Sequence, residues 1–77
     1  MEDKLREILE EIRPDVDFTA EKELITGHVL ESFDILTIGA ELEDEFDIRI
    51  RPGDYVPENF NSLEAMTALI RKRQERV

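Results

Sequence analysis

The chain has 77 residues, with 20 acidic and 10 basic side chains and a formal net charge of -10 at pH 7. This length predicts one small domain spanning residues 1–77. The chain contains no cysteine, which excludes disulfides, thiolate metal sites and a thiol nucleophile within it. No apolar run approaches the roughly 18 residues of a membrane span, so no membrane insertion is expected. The polar, acidic amino terminus is unlike a secretory signal, which predicts a cytoplasmic protein.

Charge is unevenly distributed along the chain. Residues 1–48 hold 16 acidic and 4 basic side chains, whereas residues 49–77 hold 4 acidic and 6 basic ones. The densest stretch, residues 31–47, has seven acidic side chains and no basic one. Nucleic-acid binding is not expected, because phosphate contacts need clustered Lys and Arg. A surface of one sign attracts basic partners and repels further copies of the same chain, so we expect a monomer.

The first half of the chain predicts a helix followed by a long loop. The helix is indicated by apolar residues at three- and four-residue spacing: Leu5, Ile8, Leu9 and Ile12. It ends before Pro14, because a proline disfavours helical geometry in the residue before it. Residues 15–31 have no regular pattern and predict a loop that turns at Gly27 and is ordered by apolar side chains reaching the core.

A second helix is predicted over residues 32–46. Serine is a preferred N-cap, so Ser32 is expected to cap this helix through its hydroxyl. The apolar stripe is expected to hold Phe33, Leu36, Ala40, Leu42 and Phe46, widened by Ile35 and Ile38. Residues 47–51 then alternate in a short extended stretch that Pro52 and Gly53 interrupt.

The remaining residues predict a short helical turn or tight loop at 57–60 and a last helix. Either Asn61 or Ser62 caps this last helix, and Glu64 completes a capping box if the cap is Asn61. The fold class is therefore all-α, a small bundle of three to four helices. Beyond the first helix, the expected core residues are Leu36, Leu42, Phe46, Ile50, Leu63, Leu69 and Ile70.

Tests for common catalytic and metal sites fail. The best EF-hand register begins at Asp15 but places Ala20 where glycine is needed and Thr26 where a bidentate glutamate is needed. His28 is the only histidine and is expected to be a solvated polar residue rather than a metal ligand. Ser32, His28 and Asp34 lack the elbow motif and oxyanion scaffold of a hydrolase, so no enzyme activity is expected.

Ser32 has two interpretations. In the simpler one it is only an N-cap serine. In the other its hydroxyl, exposed after a turn-rich loop, carries a phosphate group that the helix N-terminus favours.

Several motifs resemble the acyl carrier protein family, the phosphopantetheine-binding carriers. The motifs are the glycine-containing segment 27–34, the acidic run Glu41-Leu42-Glu43-Asp44-Glu45-Phe46, and the Ile48-Arg49-Ile50 stretch. Residues 54–63 also resemble carriers in which a Glu-Asn-Phe element precedes the last helix. The motifs occur in family order and cover nearly the whole chain, so residues 1–77 are expected to form one free-standing carrier domain of the acyl-carrier bundle type.

The resemblance implies that Ser32 bears a 4′-phosphopantetheine arm derived from coenzyme A. It also implies that the second helix docks onto basic patches of partner enzymes through Glu31, Phe33, Asp34, Glu43 and Asp44. The partners would be a phosphopantetheinyl transferase and the enzymes that load and unload acyl or aminoacyl groups, in fatty-acid, polyketide or related biosynthesis. Glu31 stands where the family usually has aspartate.

Two alternatives stay open within this resemblance. The chain could be a D-alanyl or peptidyl-type carrier rather than a fatty-acyl carrier, because residues 31–33 and 57–60 are similar to those carriers. It could also be an unmodified protein-interaction module on the same fold, which binds one partner through the acidic second helix.

Overall fold

The computed structural model describes residues 1–75. Helix α1 covers Glu2–Ile12, α2 covers Ser32–Phe46, α3 covers Pro57–Phe60 and α4 covers Leu63–Gln74, and a 3-10 turn at Pro52–Asp54 precedes α3. No residue of this described part of the chain lies in a strand. The predicted all-α class, with three main helices and a short one, is confirmed, and the predicted bounds of the second helix match those of α2. No helix among residues 1–75 combines the length and the apolar character needed to cross a membrane.

One apolar core lies between the helices. Helix α1 packs against α2 and α4, and α3 packs against α4. The largest side chains that are fully buried come from all four helices and from the long loop: Phe18, Phe60, Leu5, Leu9, Leu24, Ile38, Leu42, Met66 and Ile70. Because burying one such side chain contributes about 1.5–3 kcal/mol, this shared core fixes how α2 sits on its neighbours.

Helix α2 buries a different stripe from the one the sequence predicts. Its buried residues are Ile38, Gly39 and Leu42, and Ile35 and Phe46 pack partly buried against the core. At 100° per residue these positions fall on one side of the helix. Phe33, Leu36 and Ala40, expected in the apolar stripe, lie on the other side and are exposed, Leu36 at 60%, so those predictions are wrong. The other expected core residues (Leu42, Ile50, Leu63, Leu69 and Ile70) are buried.

Gly39 is needed on α2 because another residue lies directly over it. A Cβ atom at this position would clash with the Tyr55 hydroxyl and would lie 3.0 Å from two ring carbons of Tyr55. Tyr55 in turn stacks on Phe60, with ring centroids 5.6 Å apart. Tyr55 therefore packs against the middle of α2, and through its stacking on Phe60 it connects α2 to α3.

The long loop between α1 and α2 is held down by apolar burial and by one side chain. Val16, Phe18, Leu24 and Leu30 are buried, which confirms the prediction that apolar residues of this loop reach the core. Asn61, just before α4, accepts the backbone N–H groups of Ile25 and Thr26 through Oδ1, at 2.9 and 3.1 Å.

The beginning of α4 resolves a choice that the sequence leaves open. Ser62 is the N-cap, and its hydroxyl oxygen accepts the Ala65 N–H at 3.1 Å. The alternative capping box between Asn61 and Glu64 is wrong, because the Asn61 side-chain oxygen accepts hydrogen bonds from the loop instead. Glu64 instead pairs with Lys22 of that loop, at 2.8 Å from its Nζ atom.

Candidate functional site

A depression of about 790 Å³ opens beside the beginning of α2. It is lined by Arg13, by the end of the loop and by the first turn of the helix: Ile25, His28, Val29, Leu30, Glu31, Ser32, Phe33, Asp34 and Ile35. The walls thus combine apolar side chains, two carboxylates, the Arg13 guanidinium, the His28 imidazole and the Ser32 hydroxyl. This brings Ser32 together with three of the five predicted docking residues, Glu31, Phe33 and Asp34.

Ser32 is the first residue of α2 and not its N-cap, so the predicted capping role of its hydroxyl is wrong. Glu31 is the N-cap, with extended backbone angles of -107° and 170°. Oδ2 of the Asp34 carboxylate accepts a hydrogen bond from the Glu31 backbone N–H at 3.1 Å, so this N–H group has a partner. Ser32 itself is exposed. Its hydroxyl is therefore not the N-cap group of α2.

Arg13 links the end of α1 to the beginning of α2. Its Nη1 atom donates to Oδ2 of Asp34 at 2.7 Å, and its Nε and Nη2 atoms donate to the two oxygens of Asp15 at 2.9 and 2.8 Å. The hydrogen bonds from Arg13 lower the pKa of the Asp15 carboxyl to about 2. The same contacts raise the pKa of Arg13, so the guanidinium stays charged at every accessible pH.

His28 lies at the edge of the depression in an uncommon backbone conformation. Its φ angle is 61°, a left-handed value that residues with a Cβ atom seldom adopt. Its backbone N–H donates to the Ile25 carbonyl at 3.0 Å, and its side chain is exposed. The prediction of a solvated histidine side chain is confirmed.

The predicted docking residues divide into exposed side chains and side chains that accept hydrogen bonds within the protein. Glu31, Phe33 and Asp44 are exposed, and Phe33 is the most exposed of the large apolar residues at 78%. Asp34 is engaged by Arg13 and by the Glu31 N–H. Glu43 is half-buried, and its Oε2 atom accepts the Ile50 N–H at 2.7 Å. Glu43 therefore holds the segment after α2 in place, and its carboxylate is less available to a partner than that of Asp44.

Sequence reasoning missed two residues of this region, Arg13 and Leu36. Leu36 is one turn beyond Phe33 on the exposed side of α2, so the two form a continuous apolar strip beside Ser32. A helical wheel separates positions 33, 36 and 40 from positions 35, 38 and 42, but the spacing alone does not show which set is buried. Arg13 gave no comparable signal, since its partner Asp34 is 21 residues away in the chain.

Comparison with known proteins finds no matching family model, no matching curated protein and no matching solved structure. The resemblance to carrier proteins therefore rests on the motifs of this sequence alone.

Proposed function

We propose that this chain is a free-standing carrier protein of the acyl-carrier bundle type, with Ser32 as the attachment point of a 4′-phosphopantetheine arm. The observation that carries the proposal is that Ser32 is exposed in the first turn of a 15-residue helix whose N-cap is Glu31. A serine kept out of helix capping is available to an incoming enzyme. The resemblance of the surrounding motifs to carrier proteins implies that the modification is phosphopantetheine.

The residues around Ser32 fit a phosphodiester group. The first backbone N–H groups of α2 lack intrahelical partners and favour an anion, as does the positive end of the helix dipole. Arg13 adds a permanent positive charge to the same depression. The chain has no cysteine, so a thioester requires an imported thiol. When bound, the arm supplies that thiol, which carries an acyl or aminoacyl group.

The exposed face of α2 supports docking to partner enzymes. Phe33 and Leu36 offer an apolar strip next to Ser32, and exposed carboxylates come from Asp44 on α2 and from its N-cap, Glu31. Charges of this kind raise the association rate and orient the partner more than they tighten binding, which suits a protein that visits several enzymes. The partners are a phosphopantetheinyl transferase and acyl- or aminoacyl-transferring enzymes with basic patches.

Intact-mass spectrometry after incubation with coenzyme A and a broad-specificity phosphopantetheinyl transferase tests the proposal. We expect the wild type to gain one phosphopantetheine and Ser32→Ala to gain none. Ser62→Ala is the matched control, because Ser62 is the only other serine of the chain and its hydroxyl caps α4. No gain on a folded wild type, beside a control carrier that is modified, would refute the proposal.

A second candidate function is an unmodified protein-interaction module, and the exposed Phe33 and Leu36 side chains favour it. Both functions use the same face of α2, so the mass experiment separates them. If the arm is attached, acylation in cell extract followed by mass analysis then distinguishes an amino acid from a fatty acyl chain as the cargo. An amino acid would favour the D-alanyl or peptidyl-type carrier.

A further inference from the structure

Among residues 1–75, Arg13 is the one arginine or lysine that lines the depression beside Ser32. Its guanidinium binds two carboxylates that differ in burial: the Asp34 side chain is 15% exposed and the Asp15 side chain 63% exposed. An ion pair with an exposed partner contributes little stability, whereas the Arg13–Asp34 pair is shielded from solvent. The Asp34 carboxylate also accepts a hydrogen bond from the Glu31 N–H. On this comparison of burial, the bonds to Asp15 are the ones that Arg13 exchanges at the lower cost.

The guanidinium is also within reach of a group attached to Ser32. The contacts from Arg13 through Asp34 to the Glu31 N–H, with backbone bond lengths added, bring it within about 11 Å of the Ser32 Cα. Arg13 and Ser32 line the same depression, and the arginine side chain is long and flexible. Arginine binds phosphate oxygens through paired N–H groups, as it now binds the two oxygens of Asp15.

Charge gives a reason for the exchange. A phosphodiester adds a negative charge to a depression that already holds the carboxylates of Glu31 and Asp34. Asp15 lies at its outer side with 63% of its side chain in solvent, so water stabilises its charge when Arg13 leaves it. A phosphodiester on Ser32 would share the depression with the carboxylates of Glu31 and Asp34, so it depends more on a nearby cation.

We infer that Arg13 holds the phosphodiester of the arm on Ser32 by releasing Asp15 while keeping Asp34. This inference rests on the proposed function and adds a residue to it: Arg13 is a positioning residue that ties the root of the arm to the end of α1. Attachment of the arm thereby changes the start of the long loop, at Asp15.

The test is a carboxyl NMR titration of the unmodified and the modified wild-type protein. In the unmodified protein the pKa of Asp15 should be about 2, and after modification it should rise towards its ordinary value of 3.8. Asp17 is an internal control, because its pKa is lowered by the Thr19 hydroxyl at 2.6 Å and not by Arg13. Its titration should not change.

Each outcome has a separate meaning. If the transferase adds no mass, the proposed function fails and the inference fails with it. If mass is added and Asp15 titrates as before, only the inference is overturned. A rise in the pKa of both Asp15 and Asp17 would indicate general loosening of the loop and would also overturn it.

The phosphorus resonance of the arm gives a second measurement. Arg13→Gln should shift the ³¹P signal of the modified protein, and Arg13→Lys should shift it less. Arg6→Gln is the matched control, since Arg6 lies on α1 about 10 Å away along the helix axis and pairs with Asp3 and Glu10. Equal shifts for Arg6→Gln and Arg13→Gln would contradict the inference. The Asp15 titration needs no variant, so it stays decisive if Arg13→Gln does not fold.

Discussion

Helices α2 and α4 begin differently, although each has a serine at its beginning. At α4 the N-cap is Ser62 itself, and its hydroxyl accepts the Ala65 N–H. At α2 the N-cap is Glu31, and Ser32 is one position further along. Ser62 is half-buried and Ser32 is exposed.

The difference shows how a shift of one residue changes what a serine does. An N-cap hydroxyl satisfies a backbone N–H and stabilises the helix. A serine at the first helical position has no such role when an aspartate two residues later supports the cap, as Asp34 does here. The beginning of α4 is therefore built for stability, and the beginning of α2 leaves a hydroxyl open.

The largest expected effect comes from disrupting the anchor beside α4. Asn61→Ala removes the oxygen that accepts the N–H groups of Ile25 and Thr26. Ile25 is half-buried, so its N–H loses a partner that water replaces only partly. We expect the free energy of unfolding to fall by about 2 kcal/mol, measured by urea denaturation. Asn61→Asp keeps an acceptor oxygen and should lose less; equal losses for the two variants would show that the acceptor is not what matters.

The two serines should respond unequally to the same substitution. Ser62→Ala removes a helix cap and should lower the free energy of unfolding by about 1 kcal/mol. Ser32→Ala removes an exposed hydroxyl and should change it by less than about 0.5 kcal/mol. Thermal or urea unfolding of the two variants beside the wild type measures both. Similar losses would mean that Ser32 also supports its helix, and its availability for modification would lose its structural basis.

Local patterns predict the helices of this chain well, because helix ends and apolar spacing depend on neighbouring residues. Pro14 predicts the end of α1, which finishes at Ile12, and the apolar run predicts α2 over 32–46. The choice of the buried stripe on α2 depends on something else. Phe33 and Leu36 have helical spacing as good as that of Ile35 and Ile38, and only packing against α1 and α4 decides which pair is buried.

Contacts between distant residues explain what the sequence does not predict at the site. Arg13 meets Asp34 across 21 residues, and Asn61 meets Ile25 across 36. No local periodicity marks either pair. Asn61 even resembles a helix cap, which is why its role in the loop was not predicted. The position and motif of Ser32 predict that it is modified, and this stays a prediction that the mass experiment tests.

The smallest expected effect is on acid stability and involves two ion pairs of the long loop. Arg13 lowers the pKa of Asp15 to about 2, and the hydrogen bonds from Lys22 lower the pKa of Glu64 in the first turn of α4. A carboxyl whose pKa is lower in the folded chain stabilises the fold above its unfolded pKa, and this contribution is lost as pH falls through the folded value.

We therefore expect the melting temperature to decrease modestly between about pH 4 and pH 2, where the Asp15 contribution is lost. Asp15→Asn and Glu64→Gln should each make the decrease smaller. Asp15→Asn should do so more, because the Arg13 side chain is 26% exposed and that of Lys22 is 58% exposed, and solvent weakens the second pair further. Adding salt should reduce the difference between each variant and the wild type. If the double variant loses stability in acid as steeply as the wild type, these two ion pairs do not stabilise the long loop, and the burial of Phe18 and Leu24 is what holds it.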